Sequence, residues 1–215
     1  MKLFVWDFHG TLEKDNEGAV FKISNKVLEN LGYKERLTKE DNFMLYGRKW
    51  SDYFAYLLPK EPEKTHFFIQ QKCIEYEGKH PEIIKSFIKP NDHAYEVLSK
   101  IRKVHKQILV SNMSDVGLKR FMKAVDMEKY FPKDSMFATN SYKKQTKVTK
   151  KEILINYLKG KKFDKVITIG DTKVDVEMGE AVGATTYLYV HPGREFATIN
   201  ADCKIRDLRE VLKEV

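Results

Sequence analysis

Four short apolar runs, Leu3 to Trp6, Gln107 to Val110, Lys165 to Ile169 and Thr186 to Val190, constrain the fold of this chain more than any other feature. Each is bounded by polar or turn-forming residues, and none alternates between apolar and polar positions. Such continuity suits strands buried on both faces of a parallel sheet. Helical patterns lie between the runs. Ala94, Val97, Leu98 and Ile101 recur at helical spacing, as do Leu118, Phe121, Met122 and Val125. In "TKKEILINYLKG", Thr149 with Glu152 three residues on forms a capping box, and Gly160 suits a left-handed C-cap. Strands alternating with helices predict an α/β class, a doubly wound parallel sheet with right-handed crossovers. Met136 to Ala138 is expected to add a further short strand.

One segment interrupts that alternation. Between the first and second runs, from about Glu13 to about Lys89, no buried strand is visible, but Ile23 to Leu31, Trp50 to Leu58 and His66 to Tyr76 have amphipathic helical patterns. A βα loop normally has ~2 to 6 residues. The segment therefore reads as an inserted helical domain, with Pro90-Asn91 marking re-entry. The expected division is residues 1–13 and 90–215 for the α/β core and 14–89 for the insert. Its aromatic residues, Phe43, Tyr46, Trp50, Tyr53, Phe54, Phe67 and Phe68, are expected mostly in its own core. A chain of 215 residues accommodates this arrangement of one main domain and a smaller inserted one.

In an open parallel sheet, ligands bind beyond the carboxyl ends of the strands, where the strand order reverses. The polar residues at those positions are Asp7 and His9 after the first run, Ser111 and Asn112 after the second, and Asp171 with Asp175 after "VITIG". Carboxylates gathered in one crevice repel one another and imply a hard cation, and oxygen ligands favour magnesium. A small hydroxyl followed by backbone amides is a suitable grip for phosphate.

These residues resemble the motifs of the haloacid dehalogenase-like (HAD) hydrolases. "DFHGT" resembles the family's DxDGT, "LVSN" its second motif, and "IGDTKVD" its GDxxxD; "YKKQTKVTKK" supplies the lysine of the third. Together with the insert between the first two motifs, the order is that of the helical-cap members of subfamily I, the phosphoglycolate phosphatase-like group. The resemblance implies a magnesium-dependent phosphatase acting on a small phosphorylated metabolite. By it, Asp7 would be the nucleophile that forms an aspartyl-phosphate. Mg2+ would be held by the Asp7 carboxylate, the backbone carbonyl of His9 and Asp171, with Asp175 assisting. Ser111 and a lysine would bind the phosphoryl oxygens, with Thr11, Gly10 and Asn112 as further contacts. Lys147, 24 residues before Asp171, is preferred for the lysine, with Lys150 the alternative. In the insert, "YGRKW" offers Arg48 and Lys49 to an anionic substrate. His191, Pro192 and Arg194 follow the last run and are candidates for the rim.

The sequence departs from the family at one position. Where the family places an acid/base aspartate two residues after the nucleophile, this chain has His9. Were the strand to continue that far, its period of two would direct Asp7 and His9 to the same side. An imidazole with an ordinary pKa of ~6.5 suits a group that gives and then takes a proton near neutrality. The magnesium site would lose nothing, because its ligand from that position is a backbone carbonyl.

Charge and composition narrow the alternatives. The formal net charge is +8, which favours anionic partners in general. Basic residues are nevertheless spread along the chain without the aromatic interleaving that reads single-stranded nucleic acid, so nucleic acid is not the expected partner. No apolar run approaches the ~18 residues needed to cross a bilayer, and no signal-peptide core precedes Asp7; a cytoplasmic location is the default expectation. Cys73 and Cys203 have no metal-binding spacing and no disulfide framework. Two further functional readings stay open: a phosphomutase or weakly hydrolytic phosphate-binding relative, and a basic nucleic-acid-binding module. Nothing in the sequence bears on oligomeric state.

Overall fold

The computed structural model describes residues 1–45, 48, 50–140, 148–191 and 199–215. The chain forms two compact units, Met1–Lys14 with Lys89–Val215, and Asp15–Ile88. In chain order the elements are β1 (Leu3–Trp6), β2 (Glu13–Lys14), α1 (Asn16–Asn30), α2 (Lys39–Met44), α3 (Trp50–Leu57), α4 (Glu63–Lys79), α5 (Pro81–Phe87), β3 (Lys89–Pro90), α6 (Ala94–Ile101) and β4 (Lys106–Ser111). They continue with α7 (Asp115–Ala124), β5 (Met136–Ala138), α8 (Lys150–Leu158), β6 (Val166–Gly170), α9 (Lys173–Glu180), β7 (Thr185–Tyr189) and β8 (Cys203–Ile205).

The first unit is doubly wound. Its sheet has the order β5-β4-β1-β6-β7-β8, with every pairing parallel. β1 is central, with Trp6 opposite both Leu109 and Ile169. All four residues of β1 are fully buried, which explains why the sequence shows no alternation there. The chain leaves β1 toward β4 on one side and later returns to β6 on the other. That reversal opens the crevice outside the carboxyl ends of these three strands. The expected runs coincide with β1, β4, β6 and β7 to within a residue at each end. β8 was not expected, because Cys203, Lys204 and Ile205 form too short and mixed a run to stand out.

Residues 13–14 and 89–90, which flank the second unit in sequence, pair as a short antiparallel ribbon, Glu13 with Pro90 and Lys14 with Lys89. Buried Asn91 fastens the adjoining backbone. Its amide donates to the Leu12 carbonyl at 2.9 Å and its side-chain amide to the Thr11 carbonyl at 2.8 Å.

The second unit is all-helical. Its core includes Ile23, Val27, Leu28, Trp50, Tyr53, Phe54, Ile69 and Cys73. Two hydrogen bonds lie within it: the Trp50 indole donates to Ser24 Oγ at 2.6 Å, and the Ser51 amide donates to Gln70 Oε1 at 2.9 Å. Trp50, Tyr53 and Phe54 lie in that core as expected, whereas Phe68 is half exposed and turns away from it.

Candidate active site

Asp7 extends the side-chain alternation of β1 one residue past its end. Leu3 and Val5 pack with Ile108, Val110, Leu154 and Met178, so their face of the sheet is covered by α8 and α9, which carry the last two. Alternation puts Asp7 on that same face, and its amide keeps the ladder going by donating to the Ile169 carbonyl at 2.8 Å. Asp171 immediately follows β6. Asp175 lies in the first turn of α9, where one carboxylate oxygen accepts from both the Thr172 amide, at 3.1 Å, and the Thr172 hydroxyl, at 2.6 Å. A first-turn acid is ordinarily a solvated one. Asp175 is instead buried, as are Asp7 and Asp171.

Gly170 makes this approach possible. A Cβ at position 170 would overlap the Asp175 side chain. Gly170→Ala is expected to destabilise the fold by about 1–3 kcal/mol through that overlap. Urea unfolding checks this, and a loss below about 0.5 kcal/mol would show that Asp175 moves aside freely.

Lys150 completes the cluster. Thr149 and Glu152 form the expected capping box, which starts α8 at the strand ends and makes Lys150 its first residue. Lys150 Nζ donates to Asp7 Oδ1 at 2.5 Å and to Asp175 Oδ1 at 2.7 Å, with its side chain only 2% exposed. Lys147, the lysine preferred from spacing, lies outside the described residues, as do Lys49, Pro192 and Arg194.

Burial pushes the Asp7 carboxyl up to about 8, reinforced by the charges of Asp175 and Asp171 and opposed by Lys150. Burial pulls the Lys150 ammonium down, but Asp175 and Asp7 outweigh it and hold the ammonium above its ordinary value. One carboxylate oxygen from each of Asp7, Asp171 and Asp175 lies within 4.8 Å of the others. Among the described residues, three buried carboxyl groups thus face one ammonium. An all-oxygen donor set with a deficit of positive charge fits a hard dication such as magnesium.

The remaining candidates differ in burial and in partners. Ser111 ends β4 and is buried, and its hydroxyl has no partner among the described residues; the same holds for Thr11. Gly10 has φ +76°, a left-handed turn conformation that favours glycine. Asn112 is exposed, and so is Arg48 in the second unit. His191 Nε2 lies 3.2 Å from Asp171 Oδ2.

His9 is not carried by the strand. β1 ends at Trp6, and the amides of Thr11, Leu12 and Glu13 all converge on the Phe8 carbonyl, at 3.3, 3.0 and 3.2 Å. That tight turn brings Glu13 beside His9, where Glu13 Oε1 bonds His9 Nδ1. Glu13 is fully buried, and the sequence reading missed it. The signal was an acid four residues after the histidine across a Gly-Thr turn.

These elements match one known family across most of the chain. The family model described as haloacid dehalogenase-like hydrolase covers residues 4–189. The chain belongs to that family. Among solved structures, a haloacid dehalogenase-like family hydrolase from Streptococcus pneumoniae is 16% identical, with 99% of this chain and 97% of that one covered and a TM-score of 0.77. A HAD-superfamily hydrolase of subfamily IA, variant 1, from Geobacter sulfurreducens is 18% identical, with 100% and 96% covered and a TM-score of 0.70. A family IA, variant 3 hydrolase from Entamoeba histolytica is 17% identical, with 98% and 95% covered and a TM-score of 0.73. At such identities these likenesses show the shared fold alone. No curated protein matches the chain.

Proposed function

We propose that this protein is a magnesium-dependent phosphatase that hydrolyses a small phosphorylated metabolite through a phosphorylated Asp7. The observation that carries this reading is the buried cluster in which Lys150 bridges Asp7 and Asp175 beside Asp171. Asp7, Asp171 and Asp175, with the His9 carbonyl, would hold Mg2+. Bound there, the ion would offset the repulsion between the nucleophile and the anionic phosphate.

An Asp7 oxygen attacks phosphorus, and the bond from phosphorus to the ester oxygen breaks. The leaving oxygen takes a proton from His9. Water then attacks the phosphorylated Asp7 and gives a proton back to His9, which frees the carboxylate and releases inorganic phosphate. The Ser111 hydroxyl and the Lys150 ammonium bind the phosphoryl oxygens as charge moves. In the second unit, Arg48 and Lys49 are the cations we assign to substrate choice. A panel of phosphorylated sugars, nucleotides and small acids, run on the wild type and on Arg48→Ala, tests that assignment.

Phosphate release from a generic aryl phosphate, with and without Mg2+, tests the function itself. Release that ignores Mg2+ would overturn it, and tight, salt-sensitive oligonucleotide binding without release would favour the nucleic-acid reading. Proton linkage supplies a second check. Folded Asp7 holds its proton up to about 8 against an unfolded value of 3.8. The metal-free folded protein therefore binds more protons than the unfolded chain across that window, and its stability falls as pH rises through it. A cation at the cluster displaces the proton, so stabilisation by Mg2+ is expected to be larger near pH ~8 than near pH ~5. Thermal unfolding at the two pH values measures it. An equal or reversed difference would place Mg2+ elsewhere.

A further inference from the structure

We infer that Glu13 is a positioning residue that holds the His9 ring with its proton on Nδ1, so that proton exchange with the substrate runs through Nε2. This rests on the reading of His9 as the proton carrier given above. Four observations converge on it. Glu13 Oε1 bonds His9 Nδ1. The three amides gathered on the Phe8 carbonyl fix the Glu13 backbone relative to His9, so the pair is set by the turn as well as by its side chains. The Glu13 side chain is 0% exposed, whereas that of His9 is 29% exposed. The His9 ring is also held by carbon on two sides, with Phe8 tilted at 5.1 Å and Phe121 edge-on at 4.9 Å.

The chemistry gives these contacts a direction. In the pairing we infer, Glu13 Oε1 is the acceptor, so the imidazole nitrogen that meets it carries the proton. The hydrogen bond at one ring nitrogen decides which nitrogen is left to act. An aspartate at position 9, as in the family motif, would have no second nitrogen to orient and no use for a buried acid at position 13. The His9 substitution and Glu13 thus read as a matched pair.

Glu13→Gln tests the assignment, since it keeps volume and burial but also offers a donor that can serve an unprotonated Nδ1. Nitrogen NMR of the His9 ring in the metal-free protein is expected to show Nδ1 protonated in the wild type and a lower Nδ1–H population in the variant. A bare Nδ1 in the wild type, or an unchanged population in Glu13→Gln, would overturn the inference. Kinetics supply the second readout. An aryl leaving group departs without a proton, so the initial burst is expected to survive in the variant. The later steady rate should fall about 10- to 100-fold, with apparent KM falling alongside it and kcat/KM retained. A general structural defect would instead lower the burst and kcat/KM together, which also counts against positioning. Glu13→Asp is expected to recover part of the steady rate. If His9→Ala leaves turnover unchanged, the proton-carrier reading fails, while the nitrogen spectra still decide whether Glu13 orients the ring.

Discussion

Asp7→Asn is expected to lower magnesium-dependent phosphate release by about 10³-fold or more and to abolish covalent capture of labelled phosphate, while leaving the protein as stable as the wild type or more so. The two halves of this result have one origin. Asp7 is buried beside Asp171 and Asp175, and its carboxyl is pushed up to about 8 first by burial and then by those neighbours. An ionised Asp7 is therefore an expense to the fold. Asparagine keeps the shape and removes the charge, so the metal-free protein loses a repulsion as well as its nucleophile. A group retained at a cost to stability is what a reactive carboxylate looks like from the side of folding. The measurements are steady-state release, acid-quench labelling and urea unfolding near pH ~8. Release unaffected by the substitution would remove Asp7 from the chemistry. A large drop in stability would mean that its charge serves the fold through Lys150.

The architecture was readable because burial on both faces writes itself into composition: Leu3 to Trp6 has no solvent side and hence no polar position. The interrupted alternation after Glu13 was equally plain, since helices replaced strands over a length no loop covers. Side chains that work through tertiary contact were harder. Lys150 stood in the sequence as the alternative to Lys147, and only the packing of α8 against the face carrying Leu3, Val5 and Asp7 shows where its ammonium goes. Counting residues back from Asp171 could not reveal this, because the count measures the chain and not the start of the helix. Glu13 was read as the edge of the insert. Its role depends on a turn closed at the Phe8 carbonyl, a closure that the Gly-Thr pair alone does not specify.

Lys150→Met should separate the lysine's two duties. Removing the cation while keeping the stem's volume leaves Asp7 and Asp175 buried without their shared partner, a change that costs about 3–5 kcal/mol when nothing compensates. Compensation is available up to at least pH ~8, because folded Asp7 there holds its proton, and removing the opposing Lys150 charge extends that range upward. Asp175 keeps its bonds from the Thr172 amide and hydroxyl in either case. The loss of stability is therefore expected to be nearly level below pH ~8 and to grow above it, and unfolding near pH ~6 and near pH ~9.5 measures it. Magnesium should recover part of that stability, since a dication also neutralises the cluster. It should not recover turnover, because the phosphoryl oxygens still lack their ammonium. Lys150→Arg restores the charge, but a planar fork replaces a point donor that serves two carboxylates from one nitrogen, so stability should return further than rate. If Lys147→Met loses turnover and Lys150→Met keeps it, the phosphate-binding lysine is Lys147, and Lys150 is confined to holding Asp7 and Asp175 in place.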